Sequence, residues 1–272
     1  MKAKVSIKKN YASMVEYEWQ RVVHSPYHRL EHDTTWFFLD KYLPKHGLIF
    51  DAGGGPGRYT IELAKKGYDV VLLDYTPENL DLAKKKIKHY GVSKRVQEIV
   101  EGSIVDLSRY PDNSFDAVLC LGGPLSHVEK ETDRLKAVKE LLRVAKKEAP
   151  VFISVMGLIN VLTLSPICWP DEVDQTNHFQ DLWRTGDDNL WRGNSFCHFF
   201  RASELRELIE KAGGKGVTLA GLEGMALLKE KTNLLARKYP NAYKNWLECH
   251  YQMCLDPTVA DLSGHILAIT HK

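Results

Sequence analysis

The sequence carries little net charge and lacks any long apolar segment. Its 37 lysines and arginines nearly balance 35 acidic residues, and the formal charge of +2 is too small to indicate a nucleic-acid-binding surface. No apolar run approaches the ~18 residues that a membrane-spanning helix needs, and the basic first residues lack the apolar segment of a signal peptide. We therefore expect neither a nucleic acid nor a membrane among its partners.

Cysteine is also scarce. The five cysteines are Cys120, Cys168, Cys197, Cys249 and Cys254. No two of them form a C-x-x-C pair, so they predict neither a zinc site nor a disulfide framework. They are typical of reduced thiols, and we expect a cytoplasmic protein. With 272 residues and no internal repeat, the chain fits one domain with insertions or one domain with a small cap.

Glycine, in contrast, is concentrated in residues 48–59, which read L-I-F-D-A-G-G-G-P-G-R-Y. An apolar strand there leads into Asp51, a turn with Gly53, Gly55 and Gly57, and the start of a helix. Glycine lets the backbone approach a ligand closely, because it has no side chain that would collide with the ligand. Dinucleotide-binding loops need glycines at i, i+2 and i+5, and no register of this segment satisfies that spacing. The segment fits D-x-G-x-G-x-G instead, which disfavours a nicotinamide dehydrogenase.

A second short strand, residues 68–74, ends in the carboxylate of Asp74. In a doubly wound sheet, a carboxylate about twenty residues beyond the glycine turn accepts hydrogen bonds from ribose hydroxyls. The alternative is that Asp74 only caps the next helix, which Thr76 and Pro77 begin. Either interpretation puts the carboxylate at the tip of the second strand.

The D-x-G-x-G-x-G segment resembles the first motif of class I S-adenosylmethionine-dependent methyltransferases. Residues 102–107, G-S-I-V-D-L, are similar to the adenine-binding segment of that family, and the D-N-S-F-D turn at 112–116 precedes what resembles its fourth strand. The resemblance covers roughly residues 48–156 and continues less specifically through 199–224 and 265–270. It implies S-adenosylmethionine as the methyl donor.

The resemblance also implies a set of donor-binding residues at the ends of the first four strands. These residues are Asp51, Ala52, Gly53, Gly55, Gly57, Asp74, Tyr75, Ser103, Ile104 and Leu121. The backbone N–H of Ile104 is expected to contact an adenine ring nitrogen. The family most often has aspartate where this chain has Ser103, so either Ser103 or the nearby Asp106 contacts the adenine amino group.

The alternation of strands and helices predicts an α/β fold with a doubly wound sheet. The resemblance implies that this sheet is mostly parallel and seven-stranded with an antiparallel edge strand, and the segments that break the alternation are expected to form helical cap and lid insertions. We expect an N-terminal helical cap (1–45), a Rossmann-like methyltransferase domain (46–156 and 199–272), a lid insertion (157–198) and a second helical insertion (225–263). The lid contains Trp169, Trp183 and Trp191. Ligands of such sheets bind beyond the carboxyl ends of the strands. Because closed segments there would align a small acceptor with the methyl group, we expect a small-molecule acceptor.

The segment after the fourth strand, residues 121–127, ends in His127. Imidazole titrates near neutrality, so His127 is predicted as a general base for a hydroxyl, thiol or amine acceptor. The alternative is a surface histidine ahead of a helix. The segment lacks the [DNS]-P-P-[YFW] motif of DNA amino-methyltransferases and the carboxylates of metal-dependent catechol-type enzymes, and no metal is expected.

The N-terminal segment offers further candidates. Tyr27 and Arg29 are predicted to reach the methionine carboxylate of the donor or the acceptor, Tyr27 with a catalytic role; ordinary helix packing is the alternative. Trp183 of the lid is predicted to contact the acceptor together with Arg29 and His127. Histidines 24, 28 and 32 would share one helix face, but Pro26 disfavours helix just before it, so they are not predicted to bind a metal.

Two functions remain open from the sequence. The first is an enzyme that transfers a methyl group to an O, N, S or C centre of a small molecule. The second is an S-adenosylmethionine-binding protein of the same fold without its own transferase activity. The glycine turn and Asp74 serve both functions and do not discriminate between them, and no feature of the sequence indicates an oligomeric state.

Overall fold

The computed structural model describes residues 7–190, 195–226 and 228–272. The strands in chain order are β1 (Leu48–Ala52), β2 (Asp69–Asp74), β3 (Val96–Glu101), β4 (Ala117–Cys120), β5 (Pro150–Met156), β6 (Asp187–Leu190), β7 (Ser195–His198), β8 (Lys215–Gly221) and β9 (His265–His271). The helices are α1 (Ile7–Ala12), α2 (Val15–Arg21), α3 (Pro26–Tyr42), α4 (Arg58–Lys65), α5 (Pro77–His89), α6 (Glu131–Val144), α7 (Leu158–Cys168), α8 (Pro170–Val173), α9 (Thr176–Thr185), α10 (Ala202–Ala212), α11 (Lys229–Lys238), α12 (Pro240–Met253) and α13 (Pro257–Leu262). Short 3₁₀ turns span Ser93–Arg95 and Pro124–His127.

A seven-stranded sheet forms the centre, with the strand order β3-β2-β1-β4-β5-β9-β8. The first five strands of that order pair in parallel. Strand β9 runs antiparallel to both β5 and β8, so the antiparallel pairing lies at one edge of the sheet. The predicted fold class, a mostly parallel seven-stranded sheet with antiparallel pairing at its edge, is confirmed.

Helices cover both faces of the sheet. Successive strand residues point to opposite faces, so each strand contributes side chains to both packed layers. In β1, Phe50 belongs to the apolar cluster packed by α6 and α10, whereas Ile49 belongs to the cluster packed by α3, α4 and α5. A sheet buried on both faces needs apolar residues at consecutive strand positions, as β1, β2 and β4 have. This three-layer packing exposes the carboxyl ends of β1 to β4 along one edge.

The N-terminal segment contributes three helices, α1, α2 and α3. Helix α3 begins at Pro26 and runs without a break for 17 residues within the predicted N-terminal helical cap. Proline suits the first helical turn, where its missing N–H would have no partner in any case. His24 therefore precedes the helix, and His28 and His32 lie on it.

The two insertions have regular structure. Residues 157–198 include α7, α8, α9 and the antiparallel pair β6–β7, and residues 225–263 include α11, α12 and α13. Trp191 of the predicted lid lies outside the described residues. Among the helices that are described, none is long and apolar enough to cross a membrane.

A polar clasp joins α3 to α4. The ring of His32 contacts Glu62 Oε2 at 2.8 Å through Nε2 and Asp33 Oδ1 at 2.9 Å through Nδ1. Burial disfavours the imidazolium, but hydrogen bonds to the two carboxylates outweigh it and raise the pKa of His32 to about 9. Trp36 Nε1 also donates to Glu62, at 2.7 Å. The clasp fixes the cap helix α3 against the helix that follows the glycine turn.

Replacing Phe115 by alanine tests the packing of the apolar cluster that contains Phe50. Its ring stacks on Phe50 with centroids 4.6 Å apart, and both side chains are fully buried. The cavity left by Phe115→Ala should lower the free energy of unfolding by about 3–5 kcal/mol in urea denaturation. Phe37→Ala is the control, because Phe37 is 40% exposed. Equal losses in both variants would contradict the packing described.

The His32 clasp predicts a dependence of stability on pH. Since the pKa of His32 is raised from 6.5 to about 9 in the folded protein, its stabilisation is complete below pH 6.5 and is lost as the pH rises through about 9. Denaturation midpoints of the wild type should therefore fall over that interval relative to those of His32→Gln. His89→Gln, at the exposed end of α5, should keep the wild-type pH dependence.

Candidate active site

The glycine turn after β1 is held by backbone hydrogen bonds to β2. The N–H groups of Gly53 and Gly54 donate to the carbonyl of Leu73 at 2.6 and 3.2 Å. Gly53 has φ +82°, and a Cβ atom there would lie 2.5 Å from Cγ of Pro124. Both the backbone conformation and the close approach of the β4 loop therefore require glycine at this position.

The buried carboxylate of Asp51 holds the glycine turn in place. Its Oδ2 accepts from the backbone N–H of Thr60 at 3.1 Å and from the Thr60 hydroxyl at 2.6 Å, which joins β1 to the first turn of α4. A side chain on Gly54 would collide with the same carboxylate. Burial raises the pKa of Asp51 to about 6, although the Thr60 hydrogen bonds oppose that shift. Asp51 therefore shapes the turn from the interior.

Asp74, at the end of β2, joins the glycine turn to the next helix. Its Oδ2 accepts from the N–H of Gly55 at 2.9 Å. Its Oδ1 accepts from Thr76 N at 2.9 Å and from Asn79 Nδ2 at 3.2 Å. Burial raises the pKa of Asp74, and these hydrogen bonds act in the opposite direction. The carboxylate both caps the start of α5 and faces the cavity beside the glycine turn.

A cavity of about 460 Å³ lies along the ends of β1, β2 and β4. The predicted residues that line it are Gly53, Gly55, Asp74, Tyr75, Ser103, Ile104, Leu121 and His127. Asp51, Ala52 and Gly57 do not line it. Ala52 is fully buried, and a Cβ on Gly57 would lie 3.3 Å from Ala83 of α5. These three residues support the glycine turn without lining the cavity.

On the predicted adenine side, Ser103 and Asp106 have different surroundings. Ser103 lines the cavity, and its Oγ accepts from the N–H of Val105 at 3.2 Å. Asp106 does not line it, since its Oδ1 accepts from Ser108 N at 3.1 Å on the exposed side of the loop. Of the two alternatives for the adenine contact, the geometry brings only Ser103 to the cavity.

His127 also lines the cavity and belongs to the 3₁₀ turn after β4. Its Nε2 is 2.8 Å from the hydroxyl of Tyr11, and its Nδ1 is 3.1 Å from the carbonyl oxygen of Phe196 in β7. The Tyr11 ring meets the His127 ring edge-on at 5.5 Å. Helix α1, the 3₁₀ turn and the β6–β7 pair thus meet at this side chain.

Helix α2 brings a half-buried cation to the cavity wall. The guanidinium of Arg21 donates to Glu18 Oε2 at 3.2 Å and, through two nitrogens, to both oxygens of Glu31. Burial disfavours the charge, but the two carboxylates hold the pKa of Arg21 well above its ordinary value. A Cβ on Gly122 would lie 3.2 Å from Nη2 of Arg21, so the cation lies beside the loop after β4.

Three predicted contacts lie outside the cavity lining. Arg29 is exposed and pairs with Asp33 one turn along α3 at 3.4 Å. The N–H of Tyr27 donates to Asn233 of α11 at 2.9 Å, because the start of α3 packs against that helix. Trp183 is exposed on α9. Their roles in binding or catalysis remain predictions that this placement does not favour.

Several residues that line the cavity were not predicted from the sequence. They include Ile7, Tyr11, Glu18, Arg21, Thr76 and Asn79. A helical cap was predicted over 1–45, but its sequence pattern does not indicate which side of its helices faces the strand ends. Thr76 and Asn79 were visible only as residues at the start of a helix.

Among the residues that the structure describes, two groups of side chains bring possible metal ligands within 4.8 Å of one another: Glu31 with Glu223 and His265, and Glu172 with His178 and Asp188. In the first group, Arg21 pairs with Glu31, and His265 Nδ1 contacts Glu223 Oε1 at 2.6 Å. Burial opposes both charges, but their pairing lowers the pKa of Glu223 and raises that of His265. The positive charges of Arg21 and His265 thus already pair with the carboxylates of Glu31 and Glu223. The second group lies outside the cavity lining.

Comparison with known proteins agrees with this geometry. Residues 50–153 match the family model of a methyltransferase domain. The chain is 31% identical over 193 residues to demethylmenaquinone methyltransferase of Lactobacillus johnsonii, covering 68% of this chain and 75% of that protein. It is 27% identical over 135 residues to tRNA 5-carboxymethoxyuridine methyltransferase of Escherichia coli, covering 48% and 51%. A solved SAM-dependent methyltransferase from Methanosarcina mazei superimposes with a TM-score of 0.55 at 19% identity, over 86% and 96% of the two chains. The chain belongs to the class I S-adenosylmethionine-dependent methyltransferases, and its cofactor is S-adenosylmethionine.

The cavity fits this cofactor. A Cβ on Gly55 would meet only Asn79 Nδ2, at 3.8 Å, so the glycine turn borders open space on the cavity side. The carboxylate of Asp74, a hydrogen-bond acceptor, faces the same space beside the turn. A ribose with two hydroxyl groups can donate to such a carboxylate.

Replacing Asp74 by asparagine tests this fit. The variant keeps the shape of the side chain but loses a charged acceptor, which should cost about 1.5–3 kcal/mol of donor binding. Isothermal titration with S-adenosylmethionine should then give a Kd roughly 10–100-fold higher than that of the wild type. Asp81→Asn, at an exposed position of α5, is the matched control and should bind normally. Equal affinity of Asp74→Asn and the wild type would refute a ribose contact.

Proposed function

We propose that the protein transfers the methyl group of S-adenosylmethionine to an O, N, S or C centre of a small molecule. One observation carries this proposal: Asp74 and the glycine turn line the same cavity as Tyr11 and His127. Asp74 and the turn have the chemistry for a nucleoside. Tyr11 and His127 offer the polar groups that an acceptor about to lose a proton would need.

The donor would be held along the strand ends. Asp74 accepts from the ribose hydroxyls, the turn at Gly55 lets the backbone approach closely, and the backbone of Ile104 contacts the adenine ring. When bound, the donor supplies an electrophilic methyl group on a sulfonium centre. Ser103 lines the same side of the cavity and offers its hydroxyl to the adenine amino group.

Arg21 replaces Arg29 as the candidate for the donor's methionine carboxylate. It lines the cavity beside Gly122, and three of its N–H groups donate to Glu18 and Glu31. A guanidinium has further N–H groups that can bind a ligand carboxylate. The two pairing carboxylates hold the guanidinium rigidly, so a donor would lose little side-chain freedom on binding.

Helices α1 and α2 support a small acceptor. Ile7, Tyr11, Glu18 and Arg21 of these helices line the same cavity as the glycine turn. Such a cover excludes water and aligns the acceptor with the methyl carbon, which is the main contribution that a protein makes to an in-line displacement. A nucleic acid would need an open approach to the same edge. The cover therefore favours a small molecule over a tRNA acceptor, the substrate class named for one relative.

His127 remains the candidate for the general base. It lines the cavity and is held on both ring nitrogens, by Tyr11 and by the carbonyl of Phe196. A fixed ring orientation is what a base needs in order to meet a proton in the transition state. Family membership favours an enzyme over a protein that only binds the donor.

A cytoplasmic location is part of the proposal. Each of the five cysteines is a free thiol, and Cys168 and Cys249 are exposed. Exposed free thiols persist where the surroundings are reducing, which supports a location in the cytoplasm.

The proposal is tested by acceptor screening with a donor that carries an isotopically labelled methyl group. Purified protein is incubated with this donor and either a metabolite extract or total tRNA, and the label is located by mass spectrometry. We expect label in a small-molecule product and not in tRNA. The Asp74→Asn variant, with weakened donor binding, should form that product more slowly at limiting donor. Label found only in tRNA would contradict the proposal.

A further inference from the structure

The contacts of His127 fix which of its ring nitrogens carries a proton. Nδ1 lies 3.1 Å from the backbone carbonyl oxygen of Phe196. A carbonyl oxygen only accepts hydrogen bonds, so Nδ1 must be protonated to make this contact. In the neutral ring, Nε2 then has the lone pair. That lone pair faces the hydroxyl of Tyr11, which is 2.8 Å away and donates to it.

A proton from the acceptor can therefore reach His127 through Tyr11. We propose that Tyr11 is a catalytic residue of the methyl transfer: its hydroxyl takes the proton of the acceptor while it passes its own proton to Nε2 of His127. Tyr11 and His127 both line the cavity, so an acceptor can meet the phenol oxygen directly. The inference rests on the proposed function and assigns to Tyr11 the contact with the acceptor that His127 alone would otherwise make.

The transfer balances as a concerted step. The acceptor's O–H or N–H bond breaks as a pair of electrons on that atom forms the new bond to the methyl carbon, and the departing thioether keeps the electron pair of the broken S–C bond. The acceptor's proton goes to the oxygen of Tyr11, and the Tyr11 proton goes to Nε2. The products are the methylated acceptor, a neutral thioether, neutral Tyr11 and the imidazolium of His127. Because both protons move together, no free tyrosinate has to form.

Tyr11 belongs to the short helix α1, which crosses the cavity. The helix is tied down at further points, since Lys8 pairs with Glu101 at the tip of β3 and Asn10 Nδ2 donates to Ser195 of β7 at 2.9 Å. The relay is therefore complete only while α1 is seated over the strand ends. The position of α1 that covers the donor is also the position that brings Tyr11 to His127.

The kinetic test uses two substitutions with different chemistry. Tyr11→Phe keeps the ring against His127 but removes the hydroxyl. His127→Gln keeps a hydrogen-bond acceptor for Tyr11 but cannot take its proton. Each variant should lower kcat about 10²-fold or more, because a positioned acid or base contributes on that order, and the affinity for S-adenosylmethionine in calorimetry should stay that of the wild type.

Tyr239→Phe and His89→Gln make the same chemical changes at exposed positions outside the cavity and serve as controls. They should leave kcat unchanged. A wild-type kcat in Tyr11→Phe, with donor binding intact, would overturn the assignment of Tyr11.

A spectroscopic test needs no acceptor. Nitrogen-15 NMR of the donor-bound protein should show His127 protonated at Nδ1, with Nε2 as a hydrogen-bonded acceptor whose shift moves toward the free value in Tyr11→Phe. A proton on Nε2 in the neutral ring, or no response to Tyr11→Phe, would contradict the relay by itself. Failure to label any small molecule while this signature is present would instead count against the proposed function.

Discussion

The hydrogen bond from the N–H of Gly55 to the buried carboxylate of Asp74 is the contact on which the site depends. It joins the turn after β1 to the end of β2, and the same carboxylate accepts from Thr76 and Asn79 at the start of α5. Two strand ends and a helix are thus fixed relative to one another by one side chain. Because that side chain is almost fully buried yet faces the cavity, additional donors from a ligand would stabilise its charge.

The other half of the site is contributed by segments outside the sheet. Helix α1 brings Tyr11 to His127, and helix α2 brings Arg21 beside Gly122. The sheet provides a surface for the donor that the class I methyltransferases share. The cover, in contrast, lies outside residues 50–153 that match the methyltransferase domain, so we expect the acceptor to be selected by α1, α2 and the β6–β7 pair that holds the other side of His127.

The sequence predicted the parts of the site that depend on local backbone geometry. Gly53 needs a positive φ and space beside Pro124, and Asp74 follows a short apolar strand, so both leave a local pattern that can be read. Tyr11 and Arg21 leave none, because their roles depend on how α1 and α2 pack over distant strand ends. Arg29 was predicted without that information; it pairs with Asp33 along α3, and its role in binding stays a prediction.

The structure of the protein bound to S-adenosylhomocysteine, the demethylated product of the donor, tests the central claim most directly. We expect both ribose hydroxyls within hydrogen-bond distance of the Asp74 carboxylate, with the sugar against the turn at Gly55. A nucleoside bound elsewhere, or an Asp74 that contacts only Gly55, Thr76 and Asn79 in the complex, would contradict it.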